Sequence, residues 1–130
     1  YLPFEPEYVV HGSGNPEGGA TAAEALLSLP SPPTAIFCYN DMTALGAVRA
    51  IAARGLSVPG DISVVGFDDL FFAQYSTPPL TTVRQPMREM GRLALDTLMK
   101  LLAEDGSQPN IKVPGELIVR HSTAPPKENA

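Results

Sequence analysis

Ile62 to Phe67 reads ISVVGF, apolar or small at every position instead of every second one. A strand with one face in water alternates; a strand covered on both faces does not. Thr34 to Tyr39 (TAIFCY) has the same character. Around these runs the periodicity changes to helical. Thr21 to Leu29 (TAAEALLSL) has helix-forming composition and is ended by Pro30, Pro32 and Pro33. Met42 to Arg54 puts Leu45, Val48 and Ile51-Ala52 on one face, with Asn40-Asp41 as capping chemistry and Gly55 as a C-terminal stop. Strands of this kind separated by helices predict an α/β fold with a parallel sheet covered on both faces.

The remaining segments extend the same pattern. A short extended piece at Val9-Val10 leads into a Gly/Pro loop, Gly12 to Gly19. A loop rich in aromatics and prolines, Leu70 to Pro79, precedes a short strand, Leu80 to Arg84. Pro86 suits the first turn of a long helix, Met87 to Ala103. A polar loop at 105–110, a last strand Glu116 to Arg120 and a polar tail complete the chain. In an open α/β sheet, ligands bind outside the carboxyl ends of the strands. Two such ends carry polar groups, Tyr39-Asn40-Asp41 and Phe67-Asp68-Asp69, and a parallel sheet sets them on one edge.

Composition removes several classes of function. The net charge of −5 comes with Lys and Arg scattered singly, which is no surface for neutralising phosphates. A single cysteine, Cys38, forbids an internal disulfide and is expected as a buried, inert thiol. With two distant histidines it leaves no metal-ligand cluster, so neither metal nor cofactor is expected. No run of about 20 apolar residues spans a membrane, and a reduced cytoplasmic setting is expected. His11 and His121 lack a triad partner and no serine sits in a GxSxG elbow, so the chain is expected not to be an enzyme. GSGNPEGG spaces its glycines too widely for GxGxxG and no Walker lysine follows. Pro59 and the β-branched run after it break any recognition helix in ALGAVRAIAARGLSVPG.

The paired acids therefore stand between two readings: they open a solvent-facing turn, or one of them accepts hydrogen bonds from ligand hydroxyls. A charge-assisted hydrogen bond of roughly 1.5–3 kcal/mol discriminates ligands that carry the hydroxyl. Asn40 divides the same way, between capping a helix and offering both halves of an amide to a polyol.

Four segments in order, PTAIFCYNDMTALGAVRAI (33–51), GLSVPGDISVVGFDD (55–69), TPPLTTVRQP (77–86) and ELIVRHST (116–123), resemble the C-terminal half of the effector-binding core of LacI-type bacterial transcription regulators. The resemblance covers nearly the whole chain. It implies a parallel-sheet, Rossmann-like subdomain of a periplasmic-binding-protein-like (type I) fold, with the second subdomain incomplete. On that basis 8–79 is the C-terminal subdomain, 80–104 a crossover strand and helix, 105–123 a return strand and 124–130 a tail. A small-molecule, sugar-like effector would sit between subdomains, held by Asp68 after the VVGF strand, Asn40 of the NDxxALG segment and Gln85 after the TTVR strand. Asp69 and Asp41 suit turn and capping roles. Ser13 and Tyr39 are further candidate contacts. Members of the family often carry an aromatic at the position of Gly14, where this chain has none; Tyr39 and Phe37 are candidate substitutes.

The resemblance also implies a homodimer, and operator DNA bound only through an N-terminal headpiece outside these residues. Subunit contacts are expected at Leu45 and Val48 of the second helix and at Phe71, Phe72 and Tyr75, which make an apolar patch in one loop. Met90, Leu93, Ala94, Leu98, Leu101 and Leu102 give the long helix an apolar face expected to lack a partner in this chain. Two alternatives remain: a periplasmic sugar-binding protein of the same fold, and a magnesium-dependent phosphoacceptor receiver domain. The second needs Asp41 as a third acid and a lysine on a strand end, where Lys100, Lys112 and Lys127 are not expected.

Overall fold

The computed structural model describes residues 5–103 and 110–127. The polar loop expected at 105–110, apart from Asn110, and the end of the expected tail lie outside the described residues. The elements are α1 (Pro16–Leu27), β1 (Ala35–Phe37), α2 (Asp41–Ala53), β2 (Ser63–Asp68), β3 (Thr81–Arg84), α3 (Met87–Leu102) and β4 (Glu116–Ile118), with single 3-10 turns at Pro6–Tyr8 and Phe71–Gln74. The sheet order is β1-β2-β3-β4. The first three strands are parallel, Phe37 beside Val65 and Phe67 beside Val83. β4 runs antiparallel to β3, a departure from an all-parallel sheet.

The helix α1 begins at Pro16, not Thr21, and takes in glycines that read as loop. Asn15 caps it, its side chain accepting from the Gly18 N–H at 2.8 Å, and Pro16 occupies the first turn, where a missing N–H costs nothing. Gly19 and Gly46 show why the glycines are there. A Cβ on Gly19 would strike the Thr43 carbonyl, and one on Gly46 would strike the Pro16 carbonyl. The two helices thus approach at backbone distance. Arg54, at the end of α2, locks the far end: it donates to the Leu27 carbonyl at 2.9 Å, to Ser28 Oγ at 2.6 Å and to Glu24 Oε2 at 2.7 Å. The last carbonyls of α1 gain charged donors this way.

The core lies between this helix pair and the sheet: Leu26, Ala44, Ile51, Ile36, Val64 and Leu80 are all buried. Cys38 is buried there, and burial pushes its thiol up to about 12, which fits the inert thiol expected. Ser122 bridges β2 and β3 where their pairing begins. It accepts from the Val64 N–H at 2.8 Å, donates to the Val64 carbonyl at 2.6 Å and accepts from the Thr81 N–H at 2.8 Å.

The second face of the sheet is not closed as expected. Phe37 is 67% exposed, and α3 buries none of its residues. The reason is that α3 leaves the end of β3 without folding back on the strands. Its apolar side chains, Leu98 and Leu102 among them, stand exposed as the sequence led us to expect.

Candidate functional site

The carboxyl ends of the three parallel strands form one rim. At the end of β2 the chain enters a conformation that L-residues rarely take: Asp68 has φ 107° and Asp69 φ 55°. Two consecutive positive values turn the backbone sharply and send the adjacent carboxylates different ways. Such strain persists only where surrounding contacts hold it, and it concentrates at functional sites.

The contacts that hold it belong to Asp69. Its carboxylate is almost wholly enclosed, with Arg120 Nη2 at 2.6 Å on one oxygen and Arg84 Nε at 2.7 Å on the other. Burial alone would raise its pKa, but Arg120 and Arg84 outweigh it and hold the group below the ordinary carboxylate range. Arg120 also donates to the Leu80 carbonyl at 2.8 Å, tying the segment after β4 to the start of β3. Asp69 is therefore the structural member of the pair. Arg120 was missed from the sequence; a lone cation closing the apolar run Leu117 to Val119 is the signal that could have found it.

Asp68 is placed differently. It stays partly exposed, and Gln85, just beyond β3, donates from Nε2 to Oδ1 at 2.5 Å. Among the described residues Oδ2 receives no hydrogen bond. The result is an oriented carboxylate with one oxygen fixed and one open, the arrangement a hydroxyl donor requires.

Asp41 has neither a capping nor an open role. It is the first residue of α2, fully buried, and reaches across the strand ends to accept from Thr82 Oγ1 at 2.6 Å and the Leu70 N–H at 2.7 Å. Burial raises its pKa; the Thr82 and Leu70 hydrogen bonds pull the other way without prevailing. Gly66 makes room for it, since a Cβ there would strike Asp41 Oδ1. The glycine inside VVGF is thus a seat for a buried carboxylate.

Asn40 caps α2. Its Oδ1 accepts from the Thr43 N–H at 2.8 Å, and the Thr43 hydroxyl returns to the Asn40 N–H in a capping box. Its Nδ2 donates to the Gly14 carbonyl at 3.0 Å. The amide oxygen is committed, so one N–H is what Asn40 has left for a ligand. Ser13 donates to Asn15 Oδ1 at 2.9 Å, at the start of α1. Ser13, Gly14 and Tyr39 line the mouth of a cavity of about 650 Å³ between α1, β1 and the extended segment from Tyr8 to Gly14. Phe37 and Phe67 meet edge to face with ring centroids 6.4 Å apart, joining the β1 and β2 parts of the rim.

The expected interface residues divide. Phe71 and Tyr75 are exposed and stacked on one another at 5.1 Å, while Phe72, Leu45 and Val48 are half-buried. A magnesium pocket finds no support: Asp69 is saturated by arginines, Asp41 is enclosed, and among the described residues no group of three or more ligating side chains gathers.

The sequence profile of the periplasmic binding protein-like domain matches residues 2–123. The chain is 50% identical over 104 residues to a protein of Bacillus subtilis (strain 168) described as "Probable HTH-type transcriptional repressor ExuR", covering 80% of this chain and 31% of that one. Among solved structures, the complex of the transcriptional regulator CelR with cellobiose superposes with a TM-score of 0.84 at 31% identity, over 93% of this chain and 37% of that one. The lac repressor dimer bound to operator and the anti-inducer ONPF gives a TM-score of 0.78 at 38% identity, over 86% and 39%. The chain spans about a third of the length of the curated relatives it matches.

Proposed function

Because the chain belongs to the periplasmic binding protein-like domain family, in the form found in LacI-type regulators, we propose that it is the effector-binding and dimerisation part of a transcriptional repressor. The observation that carries this reading is the state of Asp68: a carboxylate at a strained strand end, oriented by Gln85 through one oxygen and open at the other. The effector is a small polyol, sugar-like, because an acceptor on Oδ2 and the spare N–H of Asn40 match the two halves of a hydroxyl. Gln85 contributes its remaining polar atoms, and Ser13 lies at the edge. The site binds and does not transform; the chain is not an enzyme and needs no cofactor.

The rim forms half of a cleft. Residues 8–79 make the C-terminal subdomain, 80–104 cross towards a second subdomain, 105–123 return and 124–130 are a tail. Closure of the two lobes on effector would alter how a cytoplasmic homodimer presents N-terminal headpieces to operator DNA. The dimer forms through Leu45, Val48, Phe71, Phe72 and Tyr75, of which the exposed Phe71 and Tyr75 rings suit an interface. A periplasmic sugar-binding protein remains the alternative; the upstream sequence separates them, a helix-turn-helix favouring the repressor and a signal peptide the carrier. The test is a thermal-shift screen of sugars, nucleosides and sugar phosphates on the full-length polypeptide. Asp68→Ala should abolish the hit with the ligand-free melting point nearly unchanged. A ligand shift that survives the substitution removes Asp68 from the site.

A further inference from the structure

Two backbone amides follow Asp68, and both are held from inside the fold. The Asp69 N–H donates to Thr82 Oγ1 at 3.4 Å, and the Leu70 N–H donates to Asp41 Oδ2 at 2.7 Å. The two acceptors are themselves joined, since the Thr82 hydroxyl donates to Asp41 Oδ1 at 2.6 Å. Thr82 and Asp41 are both fully buried. Neither side chain can touch a ligand at the rim, so any part they play in binding runs through Asp68.

Three elements meet to place this clasp. Asp41 is the first residue of α2, directly after the Asn40 cap, and Thr82 lies on β3 with Gly66 of β2 as its register partner. A Cβ on Gly66 would strike Asp41 Oδ1, so the bare glycine lets the carboxylate settle against β2 within reach of Thr82. The turn it serves is the strained one, with Asp68 at φ 107° and Asp69 at φ 55°. Arg120 and Arg84 anchor that turn through the Asp69 side chain. A side-chain anchor alone leaves the peptide planes on either side of Asp69 free to rotate. A hydrogen bond on each of those two amides removes that freedom.

We infer that Thr82 and Asp41 are positioning residues for effector binding: by clasping the two amides after Asp68 they set the strained backbone that presents its carboxylate at the rim. This rests on the effector-site reading above and adds to it the buried groups that govern its affinity. A site whose binding-competent form is only partly populated loses apparent affinity in proportion.

The experiment uses the full-length polypeptide and two readouts. Without ligand, the Gln85 side-chain amide is followed by NMR on protein labelled in its glutamine side chains, because that amide donates to Asp68 Oδ1. Its signal is identified by its loss in Gln85→Glu. With ligand, ribose, glucose, cellobiose and adenosine are titrated calorimetrically. Thr82→Val keeps the side-chain shape and removes the hydroxyl. In it the Gln85 signal should move towards its position in Asp68→Ala, and the compound that wild type binds should weaken roughly tenfold, the worth of a hydrogen bond to a charged acceptor. Thr82→Ser should bring both readouts back close to wild type. Asp41→Asn keeps one acceptor and loses the other, and should move both readouts in the same direction as Thr82→Val.

A clasp that only supports the fold would lower the melting point and move neither readout; that result overturns the positioning role and leaves Asp68 as the effector contact. A change in one readout without the other overturns it too, because the effect must pass through the Asp68 carboxylate. If Thr82→Ser behaves like Thr82→Val, the methyl and not the hydroxyl is at work and the role is lost. Wild type that binds none of these compounds, or binding that survives Asp68→Ala, overturns the effector reading itself and the positioning role with it.

Discussion

Helices α2 and α3 have 13 and 16 residues, and both carry an apolar face, yet they end up in opposite states. α2 buries seven residues, from Asp41 to Ile51, while α3 buries none. The apolar face is in fact separated more cleanly from the polar one on α3. Amphipathicity therefore says that a face is suited to burial, not that the same chain supplies the cover. What distinguishes α2 is small residues: Gly46, with Ala44, Ala47 and Ala50, lets α1 come to backbone distance. On α3, Gly91 has open space where its side chain would be.

The most damaging way to break this contrast is Gly46→Val. Its branched side chain would meet the Pro16 carbonyl and the Ala20 amide, backbone atoms that cannot swing aside. Prising α1 from α2 also loosens Leu26 and Ile51, so we expect a loss of about 3 kcal/mol or more, enough to unfold a marginal chain. Urea unfolding followed by far-UV circular dichroism measures it. A urea midpoint equal to that of wild type would mean that the helices are not in backbone contact.

Next in size is Asp41→Ala. Removing the carboxylate leaves the Thr82 hydroxyl and the Leu70 N–H without their acceptor beneath the rim. Each unsatisfied group costs about 1–3 kcal/mol, which predicts a loss of roughly 2–4 kcal/mol. The same substitution at Asp68 should change stability by less than about 0.5 kcal/mol, because that side chain is partly exposed and holds only Gln85. Three neighbouring acids would then separate by chemical denaturation alone.

Asp69→Ala falls between those two, at roughly 1–3 kcal/mol, since Arg84 is half in water while Arg120 is largely enclosed and would lose its partner. It also has a pH signature. The folded-state pKa of Asp69 is lowered, so its contribution is complete above the ordinary carboxylate range and is lost as pH falls through the lower folded value. Between neutrality and mild acid the difference between wild type and Asp69→Ala should stay constant, then shrink below about pH 4. A difference that grows on acidification contradicts the arginine pairing.

How much of this was legible beforehand follows the same division. The order of strands and helices, the buried Cys38, the Asn40 cap and the apolar face of α3 could be read from local pattern, because each depends on neighbours in sequence; that the α3 face would lack cover came from the family resemblance. The start of α1 could not: Gly18 and Gly19 read as loop until α2 lies against them. The antiparallel β4 pairs with residues more than 30 positions away and Arg120 with Asp69, 51 positions away, and no local periodicity records such partners. At the site, the motif brought Asp68, Asn40 and Gln85 to attention, but only coordinates show that Asn40 has one N–H left and that Asp41 is sealed.

The smallest effect sharpens the contrast most. Leu98 on α3 is 51% exposed and borders a groove shared with Leu101, Ile111 and Val113. In the 130-residue chain Leu98→Ser removes little buried area, and stability should change by about 0.5 kcal/mol or less. In the full-length polypeptide, where a second lobe would cover that groove, the same substitution buries a hydroxyl in place of an isobutyl group and should cost about 2 kcal/mol or more. The comparison needs both lengths measured under one denaturant. Equal small effects would mean that α3 stays bare in the longer protein and the crossing helix has been misread. An equally large effect in the short chain would mean that α3 already has cover, and that the difference from α2 is one of degree.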